Sequence, residues 1–377
     1  MENGTLINDT RDEELAKWEI GILACLFVII IIGNSLVLFS IYLKRHYGQR
    51  KKLTRMHFFI MNLSVADLLT AILNVFPQMV WKITFRFQGG PILCKLIKFG
   101  QPIGPYLSSY ILTATAIDRY HAICFPFSYC RTTSRRSRIM VYSAWIIALI
   151  LCTPQIFIFS YQLISPGVWD CWATFTVPYG QEAYVTWYSI SVFLLPFTVL
   201  VYTYTGICIG VWKNSGVSDP LEIGYKKNSN IIKKKQSPLI TKARVNTMKQ
   251  TIVVVTLYFL TWSPFIGCEL WMAWDPVRAS NSSIFDGPLF TVLSLLSCLT
   301  SCVNPWIYIA FNSELRILLL NFLRKITRHK YSPTSDDNSK IGHSNEPSTT
   351  SSLISKVSTC PTTVKPIYTE VRERNIS

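Results

Sequence analysis

The chain has 377 residues, of which 50% are hydrophobic and 15% are charged, with a formal net charge of +16 at pH 7. A soluble domain has about a quarter charged residues, so this composition argues against a soluble fold. It also argues against a nucleic-acid-binding surface, because the basic residues cluster in alternate connections between long apolar segments. We therefore predict an all-α membrane protein with a seven-transmembrane helix bundle.

Seven long apolar segments follow one another along the chain, and each is long enough to cross a bilayer as a helix. They are residues 20–43, 57–81, 96–123, 139–169, 183–212, 251–268 and 287–313. A soluble protein rarely has seven such segments in a row. We predict an extracellular segment at 1–19, a seven-transmembrane domain at 20–311, an amphipathic interfacial helix at 312–326 and a disordered cytoplasmic tail at 327–377.

The distribution of charge predicts the orientation of the chain. Residues 1–19 contain two basic and six acidic residues, whereas residues 44–55 contain six Lys or Arg residues and no acidic residue. The positive-inside rule then places the N-terminus outside and the C-terminus in the cytoplasm, with the basic loops near anionic lipid. The predicted location is the plasma membrane. Glycosylation sequons lie on the predicted outer side at Asn3, Asn8 and Asn281.

Two of the eleven cysteines stand apart from the others by their position. Cys94 lies at the outer start of the third segment, and Cys171 lies in the outer loop after the fourth. Both fall in the oxidising compartment, so we predict a disulfide between them that would hold this loop over the mouth of the bundle. The five histidines are scattered without a metal-binding spacing, and neither a phosphate loop nor an internal repeat is present. An enzyme, a metal site and a transporter are therefore not favoured.

Sequence motifs in three segments carry a resemblance to a known family. They are Asp-Arg-Tyr at 118–120, Thr-Trp-Ser-Pro at 261–264 and Asn-Pro-Trp-Ile-Tyr at 304–308. With them the chain resembles a rhodopsin-class (class A) G-protein-coupled receptor. More specifically, five stretches of the chain resemble the vasopressin/oxytocin receptor family: RDEELAKWEI, RMHFFIMNLSVADL, PQMVWKITFRF, DCWATF and SCVNPWIYIAFN.

The resemblance implies a peptide receptor. Its expected ligand is a nine-residue peptide with a disulfide-closed six-residue ring and an amidated tail, and its expected partners are a heterotrimeric G protein, arrestin and membrane lipids. Gq and calcium are the favoured signalling route, while Gs with cyclic AMP and a different neuropeptide ligand remain open alternatives. No cofactor is expected apart from a sodium ion near Asp67.

Several polar side chains predict a peptide-binding pocket in the outer half of the bundle. Lys98 and Gln101 lie three residues apart on one helix face, and such donors and acceptors suit peptide carbonyls and amides. An amine receptor would have an aspartate in place of Gln101, and an opsin would have a lysine in place of Cys298. With the family resemblance, the predicted ligand-binding residues are Arg11, Glu19, Asn74, Gln78, Arg86, Lys98, Gln101, Gln155, Trp262, Phe265 and Glu269.

Three positions depart from the family pattern. Asn74 replaces a glutamine. Glu269 also replaces a glutamine and introduces a charge. It either neutralises Lys98 across the pocket or attracts a basic group of the ligand. We expect the first, because ionisable groups inside a bundle usually find a partner. Lys82 replaces an aspartate that, in oxytocin receptors, joins the residue matching Glu19 to hold magnesium. A lysine cannot ligate a cation, so we expect agonist affinity to depend little on divalent cations.

The resemblance also implies residues that switch the bundle between two states. Ser108 and Asn304 are expected to surround a sodium ion beside Asp67, while Thr300 stands where many relatives have asparagine, which leaves sodium binding open. Prolines weaken the helices that contain them and provide pivots. The predicted switch residues are Asp67, Asp118, Arg119, Tyr120, Tyr204, Trp262, Pro264, Asn304, Pro305 and Tyr308.

Overall fold

A computed structural model describes residues 12–47, 54–125, 128–129, 134–215, 238–285 and 288–330. Span one is α1 (Glu13–Tyr47), and span two consists of α2 (Arg55–Thr70), a π-helical turn (Ala71–Val75) and α3 (Phe76–Thr84). Span three consists of α4 (Gly90–Gly100) and α5 (Ile103–Cys124). Span four consists of α6 (Ser134–Cys152) and α7 (Pro154–Ile158). Then come strands β1 (Phe159–Ser165) and β2 (Val168–Ala173).

The second part of the chain completes the bundle. Span five comprises α8 (Gly180–Ser189), a π-helical turn (Ile190–Leu194) and α9 (Leu195–Ser215). Span six is α10 (Pro238–Trp274), followed by the short helix α11 (Pro276–Ser280). Span seven is α12 (Pro288–Phe311), and α13 (Ser313–Lys330) follows it. The prediction of a seven-helix membrane bundle is confirmed.

Span three is the central helix of the bundle. Six of the seven spans are long and apolar enough to be recognised as membrane-crossing helices from hydropathy, and span three is the exception. It is interrupted at Gln101 and Pro102, where proline lacks a backbone N–H, and most of its inner part is buried against spans two, four and five. A helix that is covered by its neighbours needs no continuous lipid-facing apolar surface, which explains its polar sequence.

The apolar segment 139–169 forms two kinds of structure. Its helical part ends at Ile158, and the chain then forms an antiparallel β hairpin in which Phe159 pairs with Ala173 and Tyr161 pairs with Cys171. The turn contains Gly167 at a φ of 78°, a conformation that suits glycine. The predicted disulfide between Cys94 and Cys171 is confirmed, and both cysteines are fully buried. It fastens the hairpin to span three, and we call this end of the bundle the hairpin end.

The two ends of the described chain extend the predicted elements. Helix α1 begins at Glu13, inside the predicted segment 1–19, and α13 continues to Lys330, beyond the predicted end at 326. Helix α13 packs on span one through an edge-to-face contact of Phe39 and Phe322, with ring centroids 5.0 Å apart. We call this opposite end of the bundle the α13 end. The predicted disordered tail lies mostly outside the described residues.

Two glycines allow helices to approach closely. A Cβ atom at Gly104 would lie 2.6 Å from the backbone nitrogen of Thr70, where span three crosses span two. A Cβ atom at Gly33 would lie 2.8 Å from Cγ of Pro305, where span one crosses span seven. Real Cβ contacts do not occur at such distances, so each crossing requires glycine. These contacts hold spans two and seven, which carry predicted site residues, in the bundle.

Candidate functional site

A central cavity of about 360 Å³ opens at the hairpin end. It brings together eight of the eleven predicted ligand-binding residues, which come from spans two, three, four and six: Asn74, Gln78, Lys98, Gln101, Gln155, Trp262, Phe265 and Glu269. Three further aromatic side chains, Phe159, Tyr184 and Tyr188, line the cavity together with prolines of span three and small residues of span seven. Such a mixture of aromatic surface and a few polar groups is typical of a binding site for a ligand with its own amides.

Hydrogen bonds fix two polar groups of the central cavity. Asn74 lies in the π-helical turn of span two and Gln78 lies in α3, four residues later, and Gln78 Nε2 donates to Asn74 Oδ1 at 2.7 Å. Gln155, at the start of α7, donates through Nε2 to the hydroxyl of Tyr184 on α8. Each bond uses only part of the capacity of the amide, so both side chains retain groups for a ligand.

Lys98 and Glu269 do not form the ion pair that the sequence led us to expect. The ammonium of Lys98 lies over the ring of Trp81 at 4.4 Å and over the ring of Phe159 at 4.7 Å. Two aromatic faces stabilise this cation through cation–π interactions. Among the described residues, none forms an ion pair or a hydrogen bond with Glu269. The hairpin explains the difference, because it brings Phe159 to Lys98.

A side cavity of about 470 Å³ lies beside the central one and shares Gln78 with it. Its wall is built by the start of span one, the end of span two and strand β2. Here the ammonium of Lys82 lies 2.6 Å from Oε2 of Glu19, and Thr291 donates to Oε1 of the same carboxylate at 2.8 Å. The predicted ligand residue Glu19 is therefore held by a cation and a hydroxyl from two other spans.

Arg86 is a predicted ligand residue that lines neither cavity. Its Nη1 lies 3.6 Å from Oδ2 of Asp170, and its guanidinium also covers the ring of Phe85. Asp170 accepts hydrogen bonds from the backbone N–H groups of Phe87 and Cys171. In this structure Arg86 stabilises the hairpin. Arg11, Asn3 and Asn8 lie outside the described residues, and Asn281 is exposed after α11.

Asp67 is the centre of a buried polar cluster. Its Oδ1 accepts from the hydroxyls of Ser108 and Ser301, both at 2.8 Å, and its Oδ2 accepts from Nδ2 of Asn304 at 3.0 Å. Thr300 points elsewhere, because its hydroxyl lies 2.7 Å from that of Thr261. Sequence reasoning missed Ser301, although its spacing of three residues from Asn304 places both on one helix face.

A second ionic cluster lies at the α13 end. Arg119 Nη2 donates to Oδ2 of Asp118 at 3.1 Å, and the Tyr129 hydroxyl donates to the same oxygen at 3.2 Å. Arg55 lies over the ring of Tyr129 at 4.3 Å. Burial raises the pKa of Tyr129 above its usual value, so the hydroxyl stays protonated and donates at neutral pH. Tyr129 was missed, because a tyrosine in a short connection carries no sequence signal of this role.

The other predicted switch residues lie between these two clusters and the cavities. Trp262 and Tyr308 are buried, Tyr204 is half-buried, and Tyr120 packs against Gly206 of span five. Pro264 and Pro305 lie inside α10 and α12, where each removes one backbone hydrogen bond. The predicted residues thus form a column of sites between the central cavity, which Trp262 lines, and the ionic cluster of Asp118 and Arg119 at the α13 end.

The fold and this column define a class of protein. The chain matches the family 7 transmembrane receptor (rhodopsin family) over residues 33–308, and it belongs to this family of G-protein-coupled receptors. It is therefore a multi-pass receptor of the plasma membrane, which confirms that it is not an enzyme.

The chain is similar to several curated receptors. Cephalotocin receptor 1 of Octopus vulgaris is 39% identical over 80% of this chain and 79% of its own length. The vasopressin V1b receptor of Mus musculus is 38% identical over 81% of this chain and 75% of its own length. The mesotocin receptor of Rhinella marina is 36% identical over 93% of this chain and 89% of its own length.

Proposed function

We propose that this receptor binds a vasopressin/oxytocin-like cyclic nonapeptide in the central cavity and signals through Gq and calcium. The observation that carries the proposal is the cavity itself, in which amide side chains from spans two, three and four face aromatic side chains of spans five and six. Relatives named for vasopressin, mesotocin and cephalotocin support the same ligand class. The side cavity extends the site toward the start of span one.

The proposed orientation places the hairpin end outside the cell and the α13 end in the cytoplasm. Two observations support it: the disulfide at the hairpin end, which is stable in an oxidising compartment, and the basic residues Lys44, Arg45 and Arg55 at the α13 end. Asn3, Asn8 and Asn281 are then available for glycosylation, and the tail is available for phosphorylation and arrestin binding. Antibody labelling of an N-terminal epitope on intact cells tests this orientation.

In the proposed mechanism, the peptide favours a bundle state in which span six moves outward and exposes a cleft for the G protein. A ligand drives such a change only through its higher affinity for one of the two states. The ion pair of Arg119 and Asp118 opposes the change, because Arg119 must leave Asp118 to face the cleft. The kinks at Pro264 and Pro305 provide the pivots.

Replacing Tyr129 by phenylalanine is expected to raise ligand-independent signalling about fivefold. The substitution removes one hydrogen bond of about 1 kcal/mol from the cluster that holds Arg119, and this shifts the equilibrium toward the open state. Inositol phosphate accumulation without ligand measures the effect. Tyr142→Phe, at a lipid-facing position of span four, serves as the matched control. Equal basal signalling in the two variants would refute this role of Tyr129.

We also propose that the cluster around Asp67 accommodates a sodium ion. Its carboxylate and the hydroxyls of Ser108 and Ser301 supply the hard oxygen ligands that such a cation prefers. Thr300 does not contribute, since its hydroxyl contacts Thr261. If sodium stabilises the resting state, then agonist affinity in membranes falls as sodium replaces a bulky organic cation, and Asp67→Asn removes this dependence.

Lys82 is expected to make agonist affinity nearly independent of magnesium, with a change below about twofold, because its ammonium occupies the side of Glu19 where a metal would bind. Lys82→Asp would provide a second carboxylate, and we expect millimolar magnesium to raise its agonist affinity roughly tenfold. Lys82→Met is the control, since it removes the ammonium without adding a ligand. A magnesium effect in the wild-type receptor would contradict the expectation.

Calcium and cyclic AMP responses in transfected cells test the proposed function. Vasopressin-like and oxytocin-like peptides are expected to raise calcium at nanomolar concentrations. A rise in cyclic AMP without a calcium response would indicate that the receptor couples to Gs and not to Gq. Absence of both responses, with the receptor present at the cell surface, would refute the ligand class.

A further inference from the structure

Glu269 is the charged group of the central cavity that pairs with none of the residues that the structure describes. The cavity wall contains two charged side chains, Lys98 and Glu269. Lys98 is stabilised by the aromatic faces of Trp81 and Phe159. Within the described part of the chain, no donor or cation within bonding distance contacts the carboxylate of Glu269.

An unpaired carboxylate in this cavity affects which ligand binds well. In the open cavity, water hydrates the carboxylate. A ligand that fills the cavity expels this water, and burial of a charge without compensation costs several kcal/mol. The neighbouring wall offers the hydroxyls of Tyr184 and Tyr188, which are neutral; the Tyr184 hydroxyl accepts a hydrogen bond from Nε2 of Gln155. A positive charge that compensates the carboxylate must therefore come from the ligand.

Building on the proposed peptide-receptor function, we propose that Glu269 is a specificity-determining residue that binds a cationic group of the ligand, an ammonium or a guanidinium. A cation is a better partner than a peptide N–H, because charge-assisted hydrogen bonds are about twice as strong as neutral ones. Two sources supply this chemistry in a cyclic nonapeptide: the free α-amino group and a basic side chain in the tail. Neutral amides such as Gln101 and Gln155 serve the rest of the peptide.

Four synthetic peptides distinguish these sources. One carries both cations, one lacks the α-amino group, one has a neutral residue in place of the basic tail residue, and one lacks both. Their affinities are measured on the wild-type receptor and on Glu269→Gln, with surface expression as a check and Glu182→Gln as the matched control outside the central cavity. Glu269→Asp, which keeps the charge, is the second variant if Glu269→Gln does not reach the surface.

We expect Glu269→Gln to weaken the fully cationic peptide about 10- to 100-fold. The peptide without cations is expected to bind this variant at least as tightly as the wild type, because the variant buries no uncompensated charge. The single deletion that abolishes the loss in Glu269→Gln identifies the source of the cation. On the wild-type receptor alone, removing that cation from the peptide is expected to produce the same loss.

Three results would overturn the proposal. The first is an equal loss for all four peptides in Glu269→Gln, and the second is no loss for any cationic peptide. The third is a loss that disappears in a Lys98→Met background, which would show that Lys98 is the partner of Glu269. Failure of every peptide to bind the wild-type receptor would instead refute the proposed function, and this inference with it.

Discussion

Gly104→Ala is expected to remove most of the folded receptor from the cell surface. The added Cβ atom would lie 2.6 Å from the nitrogen and 2.7 Å from the Cα atom of Thr70. Both atoms belong to the backbone of α2, so no side-chain rotation relieves the contact and the two spans must separate. Overpacking costs typically 1–3 kcal/mol, and a contact with backbone belongs at the upper end, about 3 kcal/mol.

Surface labelling and thermal unfolding of detergent-solubilised receptor measure this effect. A loss of about 3 kcal/mol changes the abundance of a marginally stable protein more than several-fold. Gly267→Ala is the matched control, because a Cβ atom there meets nothing within 4 Å and alanine favours the helix. Similar surface levels of the two variants would show that spans two and three can separate without cost.

The double substitution Cys94→Ala and Cys171→Ala is expected to reduce peptide potency about 30-fold or more. The disulfide closes a loop with a sequence separation of 77 residues, and loss of such a bond costs about 2–5 kcal/mol. The hairpin supplies Phe159 to the central cavity and Asp170 and Trp172 to the side cavity. Without the disulfide, the peptide must order the hairpin when it binds. If this ordering costs about 2 kcal/mol, the affinity drops about 30-fold.

Concentration–response curves for calcium, normalised to surface receptor, test this expectation. Pretreatment of the cells with a reducing agent, washed out before the disulfide-closed peptide is added, should shift the wild-type curve toward that of the double variant and leave the double variant unchanged. Cys25→Ala, at an exposed position of span one, controls for the loss of a cysteine as such. Wild-type potency in the double variant would mean that the hairpin is held by its other contacts, such as the Arg86–Asp170 ion pair.

The polar clusters within the helices were largely predictable from sequence. Asn304 and Ser108 lie beside Asp67, where the resemblance to the receptor family placed them. Lys98, Gln101, Gln78 and Gln155 were expected at a similar depth of the bundle, and all four line the central cavity. Helical periodicity specifies such positions well, because each side chain keeps its face along the whole span.

Contacts that depend on the hairpin were not predictable. The apolar run 139–169 contains both helix and strand. In the strand, Tyr161 packs beside the Cys94–Cys171 disulfide, whereas Leu163 is exposed. Hydropathy does not separate these two cases. The cation–π contact of Lys98 with Phe159 and the ion pair of Arg86 with Asp170 both depend on where the hairpin lies. The expected ion pair of Lys98 with Glu269 was therefore wrong, because the sequence does not reveal that the hairpin brings Phe159 to Lys98.

Each π-helical turn, at Ala71–Val75 in span two and at Ile190–Leu194 in span five, rotates the residues on one side of it relative to those on the other side. A π-helical turn contains one residue more than the α-helical turn it replaces, and one residue corresponds to about 100° of rotation about the helix axis. Without the first turn, Gln78, which follows it, would face a different direction. Without the second turn, Tyr188, which precedes it, would be rotated relative to the rest of span five and would leave the wall of the central cavity. A receptor of this fold can therefore gain or lose a binding side chain through a one-residue insertion or deletion, without any substitution in the cavity itself.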